Sequence, residues 1–220
     1  LDGNKLIADS FSNVKLTHSQ TLMPMIENLL SASKIKLSEI DGFAISNGPG
    51  SFTGLRIGIS AVKGMAFGCD KPCVGVSTLH AAAYGMIANR GIICAVMDAR
   101  CGQVYTATFF SDGEKLKRLC DDPAIKLEEL VTDLKNLKSN GEYKNEGIFL
   151  VGRGNEMCYN RIKDEVSGVR LAPPHCCCQR ASYVALVASE YDKISAHELL
   201  PSYLRLPQAE RELKAKKEKI

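Results

Sequence analysis

Apolar positions recur along this chain with two periods, and the segments carrying them alternate. Short runs rich in β-branched and aromatic residues fall at 42–46, 72–76, 92–98, 103–110 and 148–151, each bounded by glycine, proline or polar residues. Runs of that length and composition predict buried strands. Between them the spacing widens to the helical period. The segment 19–33 puts Leu22, Ile26 and Leu29 on one stripe with Met23 and Leu30 beside it, and Pro24 is expected in its first turn or at a kink. Further helices are predicted from Ser51, over 77–88, over 127–137, after Gly154 and over 180–191. Strands alternating with helices in two successive halves predict an α/β protein. At the start, Asp2-Gly3-Asn4 is a hairpin signal with 5–8 as its outgoing strand, and only Leu1 precedes it.

The most distinctive stretch is 47–67, a glycine-rich loop that runs directly into a helix. Gly48-Pro49-Gly50 shapes a turn, and Ser51 or Thr53 is placed to cap the helix. Leu55, Ile59, Val62 and Ala66 form a greasy stripe for a sheet, while Gly54, Gly58, Ala61 and Met65 form a second, nearly bare one. Arg56 and Lys63 hold the remaining side. Gly58 and Gly64 each cost about 1 kcal/mol relative to Ala inside a helix, so something offsets them. Two explanations stand: the glycines fit the helix onto the sheet, or they let a second helix approach. A phosphate-binding P-loop is excluded by spacing, since Gly50 and Gly54 enclose three residues and Leu55-Arg56 follows.

Composition narrows the function classes. The 220 residues suffice for one large domain or two small ones, and a net charge of +3 confines any RNA contact to a local patch. Nine cysteines at scattered spacings, with no secretory start, predict reduced thiols and a cytoplasmic protein. No apolar run is long enough to span a bilayer. His175 beside Cys176-Cys177-Cys178 invites a metal, but adjacent residues do not close a tetrahedral site, and no Cys-x-x-Cys pair completes it; these residues are expected to open a helix. Gly75-Val76-Ser77-Thr78-Leu79 falls one glycine short of a nucleophile elbow, and with His80 nearby it leaves a hydrolase as the alternative to a helix cap at Ser77. Near the end, Glu210 with Lys214 and Glu212 with Lys216 have the spacing of surface pairs on a charged terminal helix.

The run Ser46-Asn47-Gly48-Pro49-Gly50-Ser51-Phe52-Thr53-Gly54-Leu55-Arg56-Ile57-Gly58 closely resembles the signature of the TsaB (YeaZ) family, bacterial proteins of tRNA threonylcarbamoyladenosine synthesis. His18-Ser19, Gly75-Val76-Ser77-Thr78-Leu79, Met97-Asp98-Ala99-Arg100 with Gln103-Val104-Tyr105, and Pro201-Ser202-Tyr203-Leu204-Arg205 extend the likeness over nearly the whole chain. TsaB-like proteins open with a strand bearing an Asp-Thr-Ser-type motif and a second strand before the hairpin turn, and apart from Leu1 neither is in this sequence.

The resemblance implies a two-lobed actin-like ATPase (ASKHA, ribonuclease H-like) fold with a reduced second lobe. Its parts would be an N-terminal lobe over 1–91, a C-terminal lobe over 92–198, and a terminal helix over 199–220 returning to the first lobe. It implies a subunit without catalytic activity of its own, a paralogue of TsaD, which transfers threonylcarbamoyl to the adenosine beside the tRNA anticodon. The partners implied are a TsaD-type paralogue, a TsaE-type ATPase, tRNA through the complex, and a second copy when the paralogue is absent; neither membrane nor DNA is expected. The family's pairing surface falls on Leu22, Met23, Ile26, Leu29 and Leu30 and on Gly54, Ile57, Gly58, Ala61 and Met65. Nucleotide is expected, if anywhere, as ATP or ADP with magnesium at the level of the complex. Within this chain the positions corresponding to the actin-like nucleotide site are Asp98, Gly102, Gly152 and Gly154, for which a plain turn is the competing explanation. An independent ATP-binding or peptidase-type enzyme of the same fold is the alternative function.

Overall fold

The computed structural model describes residues 1–14, 16–139 and 141–204. Helix α1 (His18–Ser33) starts where the Gln20 amide oxygen reaches back to the Thr17 hydroxyl (2.8 Å) and backbone N–H (3.4 Å), and stops at Lys34 in a left-handed conformation. Strand β1 (Phe43–Gly48) leads through the glycine loop into α2 (Phe52–Cys69), whose Ser51 hydroxyl caps the Gly54 N–H at 3.4 Å. Strand β2 (Cys73–Ser77) returns parallel to β1, with Phe43 opposite Cys73. A parallel pair requires a crossover, and α2 supplies it. Its Ile59, Val62 and Ala66 are buried with Cys73, Ala196 and Leu199, which seats the greasy stripe on the sheet.

The strand expected over 5–8 does not form. Asp2 and Lys5 exchange two backbone hydrogen bonds of 2.9 Å in a tight turn, after which the described chain is irregular up to α1. A strand is held by its ladder, and no neighbouring segment offers this one a register.

The second sheet is larger. Strands β3 (Gly91–Arg100) and β4 (Gln103–Ser111) form an antiparallel hairpin. The short β5 (Leu116–Arg118) and β6 (Ala124–Lys126) both pair with β4. After α4 (Leu127–Ser139), β7 (Ile148–Val151) lies parallel to β3; after α5 (Asn155–Ile162), β8 (Val169–Leu171) lies parallel to β7. The order β5-β4-β3-β7-β8, with β4 antiparallel to its neighbours, is the ribonuclease H-like arrangement that the resemblance implied. Both faces are covered. Ile92, Cys94 and Val96 of β3 join Leu130, Leu134 and Ile162 on one side, while Ile93 and Ala95 join Leu79, Met86 and Phe109 on the other. This is the alternation of a strand buried on both faces.

Helix α3 (Thr78–Tyr84) connects the sheets: it follows β2 directly and lays Leu79 on the second sheet while Ala81 packs with Val74 and Val76 of the first. It is shorter than the span 77–88 suggested, giving way to turns after Tyr84. The helix expected over 180–191 is α6 (Ala181–Val187) followed by a tighter turn at Ala188–Glu190. Pro174–Cys176 is likewise a single tight turn rather than the opening of a helix. The described end of the chain lies along α2. Lys63 Nζ donates to the His197 and Leu199 carbonyls (3.2 Å each), Ser202 N–H donates to Asn47 O (2.7 Å), and Tyr203 stacks on Phe52 with centroids 4.6 Å apart. Gly48, at φ +143°, sits where a Cβ would run into the Ser202 carbonyl. The charged terminal helix with its Glu210–Lys214 and Glu212–Lys216 pairs lies outside the described residues.

Candidate functional site

Helices α1 and α2 lie side by side and run in the same direction. At their starts a Cβ on Gly54 would stand 3.2 Å from the His18 ring; at the last residue of α2 the Cys69 thiol donates to the carbonyl of Leu37, which follows α1, at 3.7 Å. No residue of α1 is buried. Leu22, Ile26, Leu29 and Leu30 are half-buried, and Met23 is 47% exposed. On α2, Arg56 and Lys63 are taken by the tail: Arg56 Nε donates to the Tyr203 hydroxyl at 2.9 Å. Gly54, which opens the bare stripe, faces α1, and Ile57 and Ala61 are half-buried. Most of the expected pairing residues therefore share one two-helix layer at the surface.

Gly58 departs from that picture. A Cβ there would lie 3.2 Å from Ile45 Cδ1 of β1, so this glycine seats α2 on its own sheet rather than facing outward. Gly54 serves a helix contact, but with α1 of the same chain. Each explanation thus holds at a different glycine, and neither reaches Gly64, around which a Cβ would meet nothing within 4 Å. Met65 also turns inward, against the cluster of Ile59 and Val62.

The expected nucleotide positions come together only in part. Asp98 stands exposed near the end of β3 and accepts the Arg100 N–H at 2.7 Å, shaping the turn that Gly102 completes at φ +70°. Gly152 and Gly154 fold onto that strand end: Gly154 N–H donates to Val96 O (3.1 Å), and a Cβ on Gly154 would lie 3.1 Å from the Met97 carbonyl carbon and the Asp98 nitrogen. These glycines admit a neighbouring strand's backbone, which leaves no room between them and β3 for a phosphate.

Ser77 and His80 do not form a nucleophile and base. The Ser77 hydroxyl caps α3 at the His80 N–H (3.2 Å) and donates to the Asp122 carboxylate, which also pairs with Arg118. His80 turns away, its Nδ1 2.9 Å from the Tyr191 hydroxyl and its ring stacked on Phe109. Burial, and then the Arg118 charge, hold it neutral by lowering its pKa to about 4. Arg118 and Asp122, four residues apart, were open to sequence reasoning as a surface pair, but not as a bridge to Ser77.

The structure also reveals a junction without local signal. Asp9 Oδ2 accepts from Arg180 Nε, Arg180 Nη2 and Ser182 Oγ, each at 2.9 Å, and the Arg180 guanidinium lies 5.1 Å from the Phe11 ring centroid. At the cysteine cluster, Asn155 Nδ2 donates to Cys177 Sγ at 3.1 Å. Among the described residues no group of three His, Cys, Asp or Glu could hold a metal ion, and no helix is long and apolar enough to cross a membrane.

Comparison with known proteins agrees with this architecture. The family model for TsaD, tRNA N6-adenosine threonylcarbamoyltransferase, matches residues 12–213. The tRNA threonylcarbamoyladenosine biosynthesis protein TsaB of Bacillus subtilis is 29% identical, covering 93% of this chain and 87% of its own. The TsaB of Buchnera aphidicola subsp. Schizaphis graminum is 30% identical over 72% of this chain and 77% of its own. Among solved structures, a Pseudomonas aeruginosa protein described as similar to peptidase YEAZ superposes with a TM-score of 0.69, covering 87% of this chain and 86% of its own, at 23% identity. That likeness carries the fold alone, and the sequence matches carry the rest: the chain belongs to the TsaB (YeaZ) family, within the wider group that the TsaD model describes.

Proposed function

We propose that this chain is a non-catalytic subunit for adding threonylcarbamoyl to the tRNA adenosine next to the anticodon, pairing with a TsaD-type paralogue through the α1–α2 layer. The observation that carries this is α1: sixteen residues with an apolar stripe of Leu22, Ile26, Leu29 and Leu30, an exposed Met23, and not one buried side chain. An apolar helix face left at the surface is a liability in a lone protein and an asset in a complex. The names of the relatives support the pathway. The His80 ring engages Tyr191 rather than the Ser77 hydroxyl, and with the closed Gly152–Gly154 loop this favours a supporting role over independent hydrolysis. A TsaE-type ATPase is the expected source of nucleotide and magnesium chemistry, tRNA is reached through the assembly, and the same layer pairs two copies when the paralogue is missing.

The test is reconstitution. Threonylcarbamoyl transfer to tRNA by the paralogue and the ATPase is measured with and without this chain. Strong dependence on it, with no transfer by this chain alone, is the expected result; transfer at an unchanged rate in its absence overturns the assignment.

A further inference from the structure

Helix α1 carries a single charge, Glu27, which is exposed and outside every ion pair among the described residues. One turn to either side of it on the helix are the exposed Met23 and the half-buried Leu30. The sixteen residues 205–220, outside the described structure, have the complementary character. Six cations against three carboxylates give them a net charge of +3, which is that of the whole chain, so residues 1–204 are neutral overall. Leu206, Ala209, Leu213 and Ile220 recur on one stripe at the helical period, with Lys216 and Lys217 beside it.

The described chain ends where this segment needs to start. Tyr203 stacks on Phe52, the first residue of α2, and Gly54 of that same turn faces His18 at the start of α1. A helix is about 10–12 Å across and four extended residues reach about 13 Å, so 205–208 suffice to cross α2. The twelve that remain span about 18 Å at the helical rise, within the roughly 24 Å of α1. Lys217 then falls about 12 Å along from Ala209 and Glu27 about 14 Å along from His18, which brings the two level. We propose that in the lone chain residues 205–220 lie along the exposed face of α1, with Leu213 and Ile220 against its apolar residues and Lys216 and Lys217 at Glu27, and that a pairing partner displaces them. This rests on the reading of the α1–α2 layer as the pairing surface. The cover is weak by construction, since one exposed ion pair and a thin stripe hold it.

The test is hydrogen exchange read by mass spectrometry on the full chain, at a concentration where light scattering gives a monomer. Leu213→Asp, and separately the pair Lys216→Glu and Lys217→Glu, should speed exchange within 18–33 about fivefold and leave 91–100 unchanged. Both variants lie outside α1, so the change reports lost cover rather than a damaged helix. Both should also bind a TsaD-type paralogue about fivefold more tightly. Unchanged exchange of 18–33 in both variants overturns the proposal. Protection of α1 that grows with concentration assigns the cover to a second copy and overturns it too, and faster exchange with unchanged affinity overturns the displacement. If no chain binds the paralogue while the exchange difference persists, the pairing reading falls and the cover on α1 stands, so the two assignments fail separately.

Discussion

Strand β3 and helix α1 are both apolar segments, and the molecule uses them in opposite ways. From Gly91 through Val96 every residue of β3 is buried, its side chains alternating between two cores. Helix α1 is longer and buries nothing completely. Burying one large apolar side chain stabilises a fold by about 1.5–3 kcal/mol, so β3 and its neighbours can hold the second sheet together without outside help. Helix α1 leaves much of that stabilisation unrealised, and a partner surface can supply it. Apolar character alone does not distinguish a core from an interface; what covers it does.

The sharpest contrast comes from matched truncations. Phe109→Ala, in the core of the second sheet, should lower unfolding free energy by about 3–5 kcal/mol, read from denaturant midpoints. Ile26→Ala on half-buried α1 should cost the lone chain far less. Equal losses would mean that α1 is as integral to the isolated fold as β3.

Acid should act through the junction between the sheets. His80 has a folded pKa of about 4 against an ordinary value of 6.5, so the unfolded chain takes up the proton first. Its contribution is fully present above pH 6.5 and is lost as pH falls towards about 4, by at most about 3 kcal/mol. The groups facing it are Tyr191, Glu190, Arg118 and Asp122. A thermal midpoint that falls between pH 6.5 and 5, and a flatter profile in His80→Gln, would check this.

Smaller effects separate the two sides of α2. Gly58→Leu should lower stability by about 1–3 kcal/mol by forcing Ile45 aside, which makes it a poor probe of pairing. Gly64→Ala meets nothing within 4 Å and should raise helix stability by about 0.5–1 kcal/mol. Thermal melts of the two variants should therefore move in opposite directions.

The periodicity disclosed most of this fold. Strand β7 falls at the expected residues, the β3–β4 hairpin and α2 within two or three, because long apolar patterns set their own period. Strands β5, β6 and β8 were not legible: three residues carry no period, and each exists because a longer strand offers an edge. At the candidate site, sequence pattern marked Leu22, Ile26 and Gly54 and left Gly58 open between the sheet and a second helix; the side it takes, towards Ile45, came from the structure. A helical wheel gives angles about an axis, not which angle meets the sheet. The Asp9–Arg180 contact spans 171 positions and has no local signature.

The most direct measurement of the central claim is light scattering after size exclusion, on this chain mixed with a TsaD-type paralogue from the same source. It should be run with the native sequence and with the double variant Met23→Asp and Ile26→Asp. The native chain should form a one-to-one heterodimer, and the variant should remain separate while still melting cooperatively as a folded chain. A variant that still pairs as tightly as the native chain would contradict the assignment of α1 to the interface.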